Sequence, residues 1–145
     1  MDQVVAAGAG FLLAVLWMDL MFDVQVLRRG DEARVESIAT YYRRVTTDAQ
    51  PMGRLIALVM VALLGALAAQ LALDQAPRWV SAVSLACAGA ATGLAGARVV
   101  PDAVRLGARR DPPATRGALA RRILRSHLAC LAAIAALLAV QLAAA

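Results

Sequence analysis

Residues 55–73 read LIALVMVALLGALAAQLAL, an uncharged run of 19 residues enclosed by Arg54 and Asp74. A helix that crosses a bilayer needs about 20 mostly apolar residues, so this stretch by itself predicts a membrane span. Residues 79–97 and 126–145 are similarly long and carry no formal charge. Residues 3–18 are slightly shorter, but the apolar character continues beyond Asp19 and gives this stretch the length of a span.

The composition of the whole chain agrees with this pattern. Of its 145 residues, 61% are hydrophobic and 17% are charged, whereas soluble domains have about 45–50% and about 25%. Soluble, disordered and disulfide-rich classes are therefore excluded. We predict an all-α integral membrane four-helix bundle that forms one transmembrane domain over residues 1–145. The expected helices are about 3–28, 50–73, 79–106 and 115–144.

The arginines predict the orientation of the bundle. All 15 basic residues are arginine, and only Arg78 lies in the second connection between spans. By the positive-inside rule, the first and third connections are cytoplasmic and both chain ends are external, an N-out/C-out topology. No aromatic residues are interleaved for base stacking, so no nucleic acid partner is predicted. The remaining arginines are Arg28, Arg29, Arg34, Arg43, Arg44, Arg54, Arg98, Arg105, Arg109, Arg110, Arg116, Arg121, Arg122 and Arg125.

The first connection contains a short amphipathic pattern. Apolar residues recur at three- and four-residue steps through Val35, Ile38, Tyr42 and Val45. This spacing predicts a cytoplasmic helix over about 32–45 with a narrow apolar stripe. Such a helix can lie on the membrane surface or cap the bundle.

The two halves of the chain share a layout. The first span ends in FDVQVL (22–27) and the third in PDAVRL (101–106), and in each an Asp precedes a Leu by four residues. Near the outer ends of the even spans, Gln70 and Gln141 both precede Leu-Ala. We interpret these matches as a tandem repeat of two helical hairpins in parallel orientation, although shared composition and topology could produce the same matches.

The third span carries small residues at helical spacing. Gly89 and Gly93 form a GxxxG pattern, and Gly96 follows. Small residues let helix backbones approach closely in lipid. These glycines are expected to pack against other helices of the same chain or to form the seam of a homo-oligomer.

A candidate polar cluster lies toward the cytoplasmic membrane boundary. Asp19 and Asp23 are four residues apart and therefore share one helix face. A charged side chain costs about 2.5–3.5 kcal/mol at the centre of a membrane helix, and less near its end, so a partner is expected. The repeat places Arg98 at the position of Asp19 and Asp102 at that of Asp23. We predict an ion pair between Asp19 and Arg98, with Arg54 as the second candidate partner. The pair could fix the helix register, form a proton or cation site, or bind substrate.

The remaining polar and thiol residues are expected to have mainly structural roles. His127 is the only imidazole, and we expect it to form interfacial hydrogen bonds. One His and two Cys are too few for an ordinary zinc site, so no metal is predicted. Cys87 and Cys130 lie at different depths and are expected to be free thiols. Gln70 and Gln141 can hydrogen-bond between helices. The aromatic residues expected at the membrane interfaces are Trp17, Trp79, Tyr41 and Tyr42.

The sequence also resembles a known group of proteins. The order WMDLMF (17–22), YYRR (41–44) and PM (51–52) is similar to that of small four-helix bacterial membrane proteins. This group includes the HemJ-type protoporphyrinogen oxidases and the anthrone-oxygenase-like proteins. HemJ-type proteins carry a functional His on the first helix and a Lys on the third, and this chain has neither. The resemblance therefore implies a bundle in a bacterial inner membrane, without a catalytic residue or a named cofactor.

Three functions remain open from the sequence. The first is an accessory or binding subunit that packs against other membrane subunits or holds a lipid. The second is an enzyme acting at the cytoplasmic face on a lipophilic substrate, either neutral or anionic. The third is a proton- or ion-coupled transporter that uses Asp19. For the second function, the predicted pocket residues are Asp19, Asp23, Arg54, Arg98, Asp102 and His127.

Overall fold

The computed structural model describes residues 2–27, 32–48 and 50–144 of the chain, and these residues contain helices and turns but no strand. Arg28 and Arg29, which contribute to the predicted orientation, lie outside the described residues. The helices are α1 (Asp2–Asp23), α2 (Glu32–Arg43), α3 (Gln50–Ala72), α4 (Arg78–Leu94), α5 (Val100–Ala108) and α6 (Pro113–Ala143). A 3₁₀ turn, Val24–Leu27, continues α1, and π turns Arg44–Asp48 and Ala95–Val99 follow α2 and α4.

Among the described residues, four helical segments are long and apolar enough to cross a membrane. They are Gln3–Leu27, Pro51–Ala72, Arg78–Ala108 and Pro113–Ala143. The third segment contains both α4 and α5, because the π turn between them keeps the helix continuous. The predicted all-α four-helix membrane bundle is therefore confirmed. The ends of these segments lie close to the ranges expected from the charge pattern.

The bundle has two apolar cores, one in its membrane-spanning body and one at its arginine-rich end. In the body, α1 and α4 each pack between α3 and α6. The buried side chains of this core include Val5, Leu63, Leu67, Ile134 and Leu137. At the arginine-rich end, α2 packs against α5 and α6, and the core includes Leu20, Ile38, Leu106, Leu119 and Ile123. The second core holds α2 over the end of the bundle, so α2 caps the bundle.

Glycine and ion pairs hold α2 in this position. A Cβ atom on Gly107 would lie 2.9 Å from the backbone nitrogen of Arg43, so only glycine allows α5 to approach α2 this closely. The Arg116 Nη1 atom donates to Glu36 Oε2 over 2.8 Å. The Nε atom of Arg109 lies 2.7 Å from Glu36 Oε1, an ion pair without the angle of a hydrogen bond. These contacts join α2 to both sides of the α5–α6 turn.

The α5–α6 turn is stabilised by local contacts. Arg109 ends α5 in the left-handed conformation, with φ of 57°. The guanidinium of Arg105 donates two hydrogen bonds to Asp111, of 2.8 Å and 2.7 Å. These hydrogen bonds lower the pKa of the Asp111 carboxyl. The turn therefore brings the start of α6 back toward α2.

The glycines of the third span face outward. A Cβ atom on Gly89, Gly93 or Gly96 would meet no described atom within 4 Å outside its own helix. The expectation that they pack against other helices of this chain is therefore wrong, because α4 turns other small residues, Ala88 and Ala91, toward the core. A role in a homo-oligomer stays a prediction. Trp17 and Trp79 are also strongly exposed, and their role as interfacial anchors stays a prediction.

The two halves of the chain differ in one respect that bears on the site. In the first half, α2 is separate from α3 and is followed by the π turn Arg44–Asp48. In the second half, α6 runs unbroken from Pro113 to Ala143. Among the described residues, the first half contributes the separate short helix α2, which folds over the aspartates of α1. The tandem repeat itself stays a prediction.

Candidate functional site

Five side chains from three helices form a polar cluster at the arginine-rich end of the bundle. Asp19 and Asp23 come from α1, Tyr41 and Tyr42 from α2, and His127 from α6. The four-residue spacing on α1 directs both carboxylates to one face. The cap helix α2 brings two consecutive phenols to that face, and α6 places the imidazole beside both carboxylates.

Asp23 is the most buried member of the cluster. Its side chain is fully inaccessible, and a buried carboxylate is strongly unfavourable unless it is paired and hydrogen-bonded. Tyr42 Oη donates to Asp23 Oδ1 over 2.6 Å. His127 Nδ1 lies 2.6 Å from Asp23 Oδ2. Both carboxylate oxygens therefore have a partner on another helix.

Asp19 has a similar pair of neighbours but a looser geometry. Tyr41 Oη donates to Asp19 Oδ1 over 2.5 Å, and the Tyr41 ring stacks on Phe22 with centroids 4.0 Å apart. The other oxygen, Oδ2, lies 3.7 Å from His127 Nε2. Hydrogen bonds of this kind are about 2.7–3.2 Å long, so the carboxylate and the imidazole are in electrostatic contact without a hydrogen bond.

The bond to Asp23 determines which nitrogen of His127 carries a proton. An ionised carboxylate only accepts hydrogen bonds, so Nδ1 must be the donor. The proton of Tyr42 is already directed to Asp23, and its oxygen is 3.4 Å from Nδ1. In the neutral imidazole, Nε2 is then an acceptor. Asp23 thus orients the ring and presents an unprotonated nitrogen toward Asp19.

This environment raises the pKa of both tyrosine phenols. Burial raises the pKa of the Tyr42 phenol, and the negative charges of Asp23 and Asp19 raise it further. Burial also raises the pKa of the Tyr41 phenol, and its hydrogen bond to Asp19 adds to the effect. Both phenols therefore keep their protons and act as donors to the carboxylates.

A cavity of about 490 Å³ borders the cluster. This volume falls within the range of about 300–1,000 Å³ that is usual for small-molecule sites. Its polar lining includes Asp19, Tyr42, Thr46, Arg54 and His127. Its walls are mostly apolar or small side chains, including Leu12, Val15, Leu16, Ile56, Ala57, Met60, Ala91, Ala95, Val99, Val100, Ala103, Val104 and Ile134. The cavity thus combines an apolar body with a small group of polar atoms.

The structure brings together only some of the predicted pocket residues. Asp19, Asp23 and His127 meet, and Arg54 borders the same cavity. Asp102 is buried elsewhere and accepts two hydrogen bonds from Arg122 of α6. Arg98 lies exposed on the π turn after α4.

The predicted ion pair between Asp19 and Arg98 is not found among the described residues. Asp19 instead contacts Tyr41 and His127. The physical reason is that α2 and α6 reach the Asp19 face of α1, whereas Arg98 is exposed. His127 also differs from the expected interfacial residue, because its side chain is buried between both carboxylates.

The sequence reasoning missed the role of Tyr41 and Tyr42, which were expected to be interfacial anchors. The amphipathic stripe could have indicated this role, because Tyr42 falls on its apolar side and is therefore expected to be buried. A tyrosine buried by such a stripe needs an acceptor for its hydroxyl. The nearby acidic pair on α1 supplies that acceptor.

Two other predicted features occur away from the cluster. Near the opposite end of the bundle, Gln70 and Gln141 exchange hydrogen bonds of 3.2 Å and 3.1 Å. Gln141 also donates to Ser84 over 3.0 Å. The predicted hydrogen bonding between these helices is therefore present. Cys87 and Cys130 are free thiols, as expected.

No group of His, Cys, Asp or Glu side chains among the described residues has the arrangement of a metal site. Comparisons with protein families, with curated proteins and with solved structures find no match to this chain. The fold and site together define a small multi-pass membrane protein with a cavity between its helices and a buried carboxylate–imidazole–tyrosine cluster.

Proposed function

We propose that this chain binds a lipophilic molecule in its intramembrane cavity and acts as a binding or accessory subunit of a bacterial inner membrane. One observation supports this most directly: an apolar cavity of about 490 Å³ opens between the helices and borders the polar cluster. Ligand sites typically combine apolar walls with a few convergent polar groups. The walls would enclose an acyl chain or ring, and the cluster would fix one polar end of the molecule.

Substitutions that fill the cavity test whether it binds a ligand. Ala57 on α3 and Ala95 on the π turn after α4 both line it, so Ala57→Phe and Ala95→Phe should fill it. Ala62 and Ala97 are exposed and lie outside the lining. Ala62→Phe and Ala97→Phe are therefore matched controls on the same two segments.

The measurement is native mass spectrometry of the protein released from nanodiscs, combined with extraction of the bound molecules. Wild type and both control variants should carry a lipophilic adduct. In the two cavity variants the amount of bound adduct should be at least about tenfold lower. The phenylalanine ring would occupy the volume in which the ligand makes its van der Waals contacts. Equal adduct levels in all five proteins would overturn the proposal.

A second candidate function is acid–base catalysis on the bound molecule. It is favoured by the Asp23–His127 pair, in which a carboxylate holds one imidazole nitrogen while the other faces the cavity. This is the usual arrangement of an oriented general base. The test is incubation of reconstituted protein with a membrane lipid extract. A product present with wild type and absent with His127→Gln would establish the activity, and identical profiles would refute it.

A further inference from the structure

Two of the polar side chains that line the cavity, Asp19 and His127, carry acceptor atoms. His127 is only 4% exposed, yet its side chain lines the cavity beside Asp19. Among the described residues, Nε2 makes no hydrogen bond, and its distance of 3.7 Å from Asp19 Oδ2 is too long for one. An almost fully buried imidazole therefore presents a nitrogen to the cavity without a hydrogen-bond partner.

When Asp19 is ionised and the imidazole is neutral, neither atom can satisfy the other. Asp19 Oδ2 belongs to a carboxylate and only accepts, and Nε2 accepts because Nδ1 carries the proton toward Asp23. A ligand that fits between them must therefore donate hydrogen bonds. A hydroxyl group has one proton and can satisfy only one of two acceptors. A primary ammonium group has three and can satisfy both.

The charge of the cluster favours the same ligand. Two carboxylates surround a single imidazole, so the five side chains carry a net negative charge even when the imidazole is protonated. The carboxylates lie within a membrane span, where an uncompensated charge is costly. Arg54 borders the cavity from α3, but the described contacts of Asp19 are with Tyr41 and His127. A cation placed beside Asp19 would reduce this cost.

We propose that the ligand is a lipophilic primary amine whose ammonium group binds between Asp19 Oδ2 and His127 Nε2 while its apolar part occupies the cavity. This inference rests on the proposed function, since it needs the cavity to hold a molecule. It replaces the anionic substrate considered from the sequence, because the Asp19 carboxylate lies only 3.7 Å from His127 Nε2 and would repel an anion bound there. Tyr41 and Tyr42 act as positioning residues, since they hold the carboxylates in place.

Three probes with the same dodecyl chain separate the possible recognition modes. Dodecylamine is a cation with N–H donors, dodecyltrimethylammonium is a cation without them, and dodecanol is uncharged. The protein has one histidine, so its ¹⁵N signals report binding at this site alone and ignore probe that merely dissolves in the lipid. Each probe is titrated into ¹⁵N-histidine-labelled protein in nanodiscs of neutral lipid.

Dodecylamine should shift the Nε2 signal and bind at least about tenfold more tightly than either other probe. Asp19→Asn removes the charge but retains an acceptor for Tyr41, and it should weaken dodecylamine binding at least about tenfold. Asp48→Asn changes an exposed carboxylate after α2 that does not line the cavity, and it should bind like wild type.

Failure of this inference is distinguishable from failure of the proposed function. If Ala57→Phe and Ala95→Phe block all three probes but wild type binds them equally, the cavity binds lipophiles and the amine preference is wrong. Tighter binding of dodecanol than of dodecylamine would likewise overturn the ammonium site. If binding of every probe is unaffected by filling the cavity, the proposed function fails as well.

Discussion

The Nδ1 atom of His127 lies 2.6 Å from Oδ2 of Asp23, although the two residues are 104 positions apart in the chain. This contact joins α6 to α1 inside the arginine-rich end of the bundle. Tyr42 donates to the other oxygen of the same carboxylate and adds α2 to the arrangement. The orientation of the only imidazole in the protein therefore depends on a residue from a different helix.

The imidazole should be protonated at Nδ1 and unprotonated at Nε2 when it is neutral. The reason is that Asp23 is an acceptor and is in contact with Nδ1. Long-range ¹H–¹⁵N correlation spectra of histidine-labelled protein would identify the tautomer directly, without assignment, since the chain has one His. A proton on Nε2, or an equal mixture of the two tautomers, would contradict the described geometry.

The two tyrosines should resist ionisation at alkaline pH. The fold raises the pKa of both phenols, by burial first and then by their contacts with Asp19 and Asp23. The folded state therefore favours the protonated form. Its contribution to stability is complete below about pH 10, the ordinary pKa of tyrosine, and is lost as the pH rises above that value.

Tyrosinate absorbance in the near ultraviolet measures this directly, because the chain has only Tyr41 and Tyr42. No tyrosinate should form near pH 10 in the folded protein, and both phenols should ionise together with unfolding. Tyr41→Phe and Tyr42→Phe assign the signal to one residue each. Ionisation of either phenol near pH 10 without unfolding would show that its bond to the carboxylate is weak.

The effects of substituting Gln70 and Gln141 on the free energy of unfolding should depend strongly on each other. Gln70→Leu leaves the amide of Gln141 with fewer partners in a buried site, and we expect a loss of about 1–2 kcal/mol in unfolding free energy. The double variant Gln70→Leu/Gln141→Leu replaces both amides by apolar groups and should cost clearly less than the sum of the single changes. Reversible unfolding in mixed micelles provides the measurement. Strictly additive losses would mean that the two amides do not depend on each other.

Two glycine substitutions should have opposite consequences. Gly107→Ala places a Cβ atom 2.9 Å from the Arg43 backbone nitrogen and should lower the unfolding free energy by about 1–3 kcal/mol. Gly93→Ala meets open space and should be neutral or slightly stabilising, because alanine favours the helix by about 0.5–1 kcal/mol. Both are compared by thermal unfolding. A loss of stability in Gly93→Ala would refute the second expectation and point to a second copy covering that face, and an unchanged stability of Gly107→Ala would refute the first.

Local sequence patterns predicted the membrane class, the four spans and a short amphipathic helix over about 32–45, but not whether that helix caps the bundle. These features depend on local properties: the length of uncharged runs and the periodic spacing of apolar residues. The run from Leu55 to Leu73 needs no tertiary information to predict a span. The four-residue spacing of Asp19 and Asp23 also placed both on one face before any packing was known.

Which residues meet that face depends on the packing of segments that are distant in the chain. Repeat symmetry suggested Arg98, but burial of α2 against α5 and α6 brings Tyr41 and Tyr42 to the aspartates, while Arg98 remains exposed. The cavity is likewise formed by side chains from widely separated parts of the chain. Pairing between distant residues depends on how helices rotate and pack against each other, and no single segment of sequence specifies that rotation.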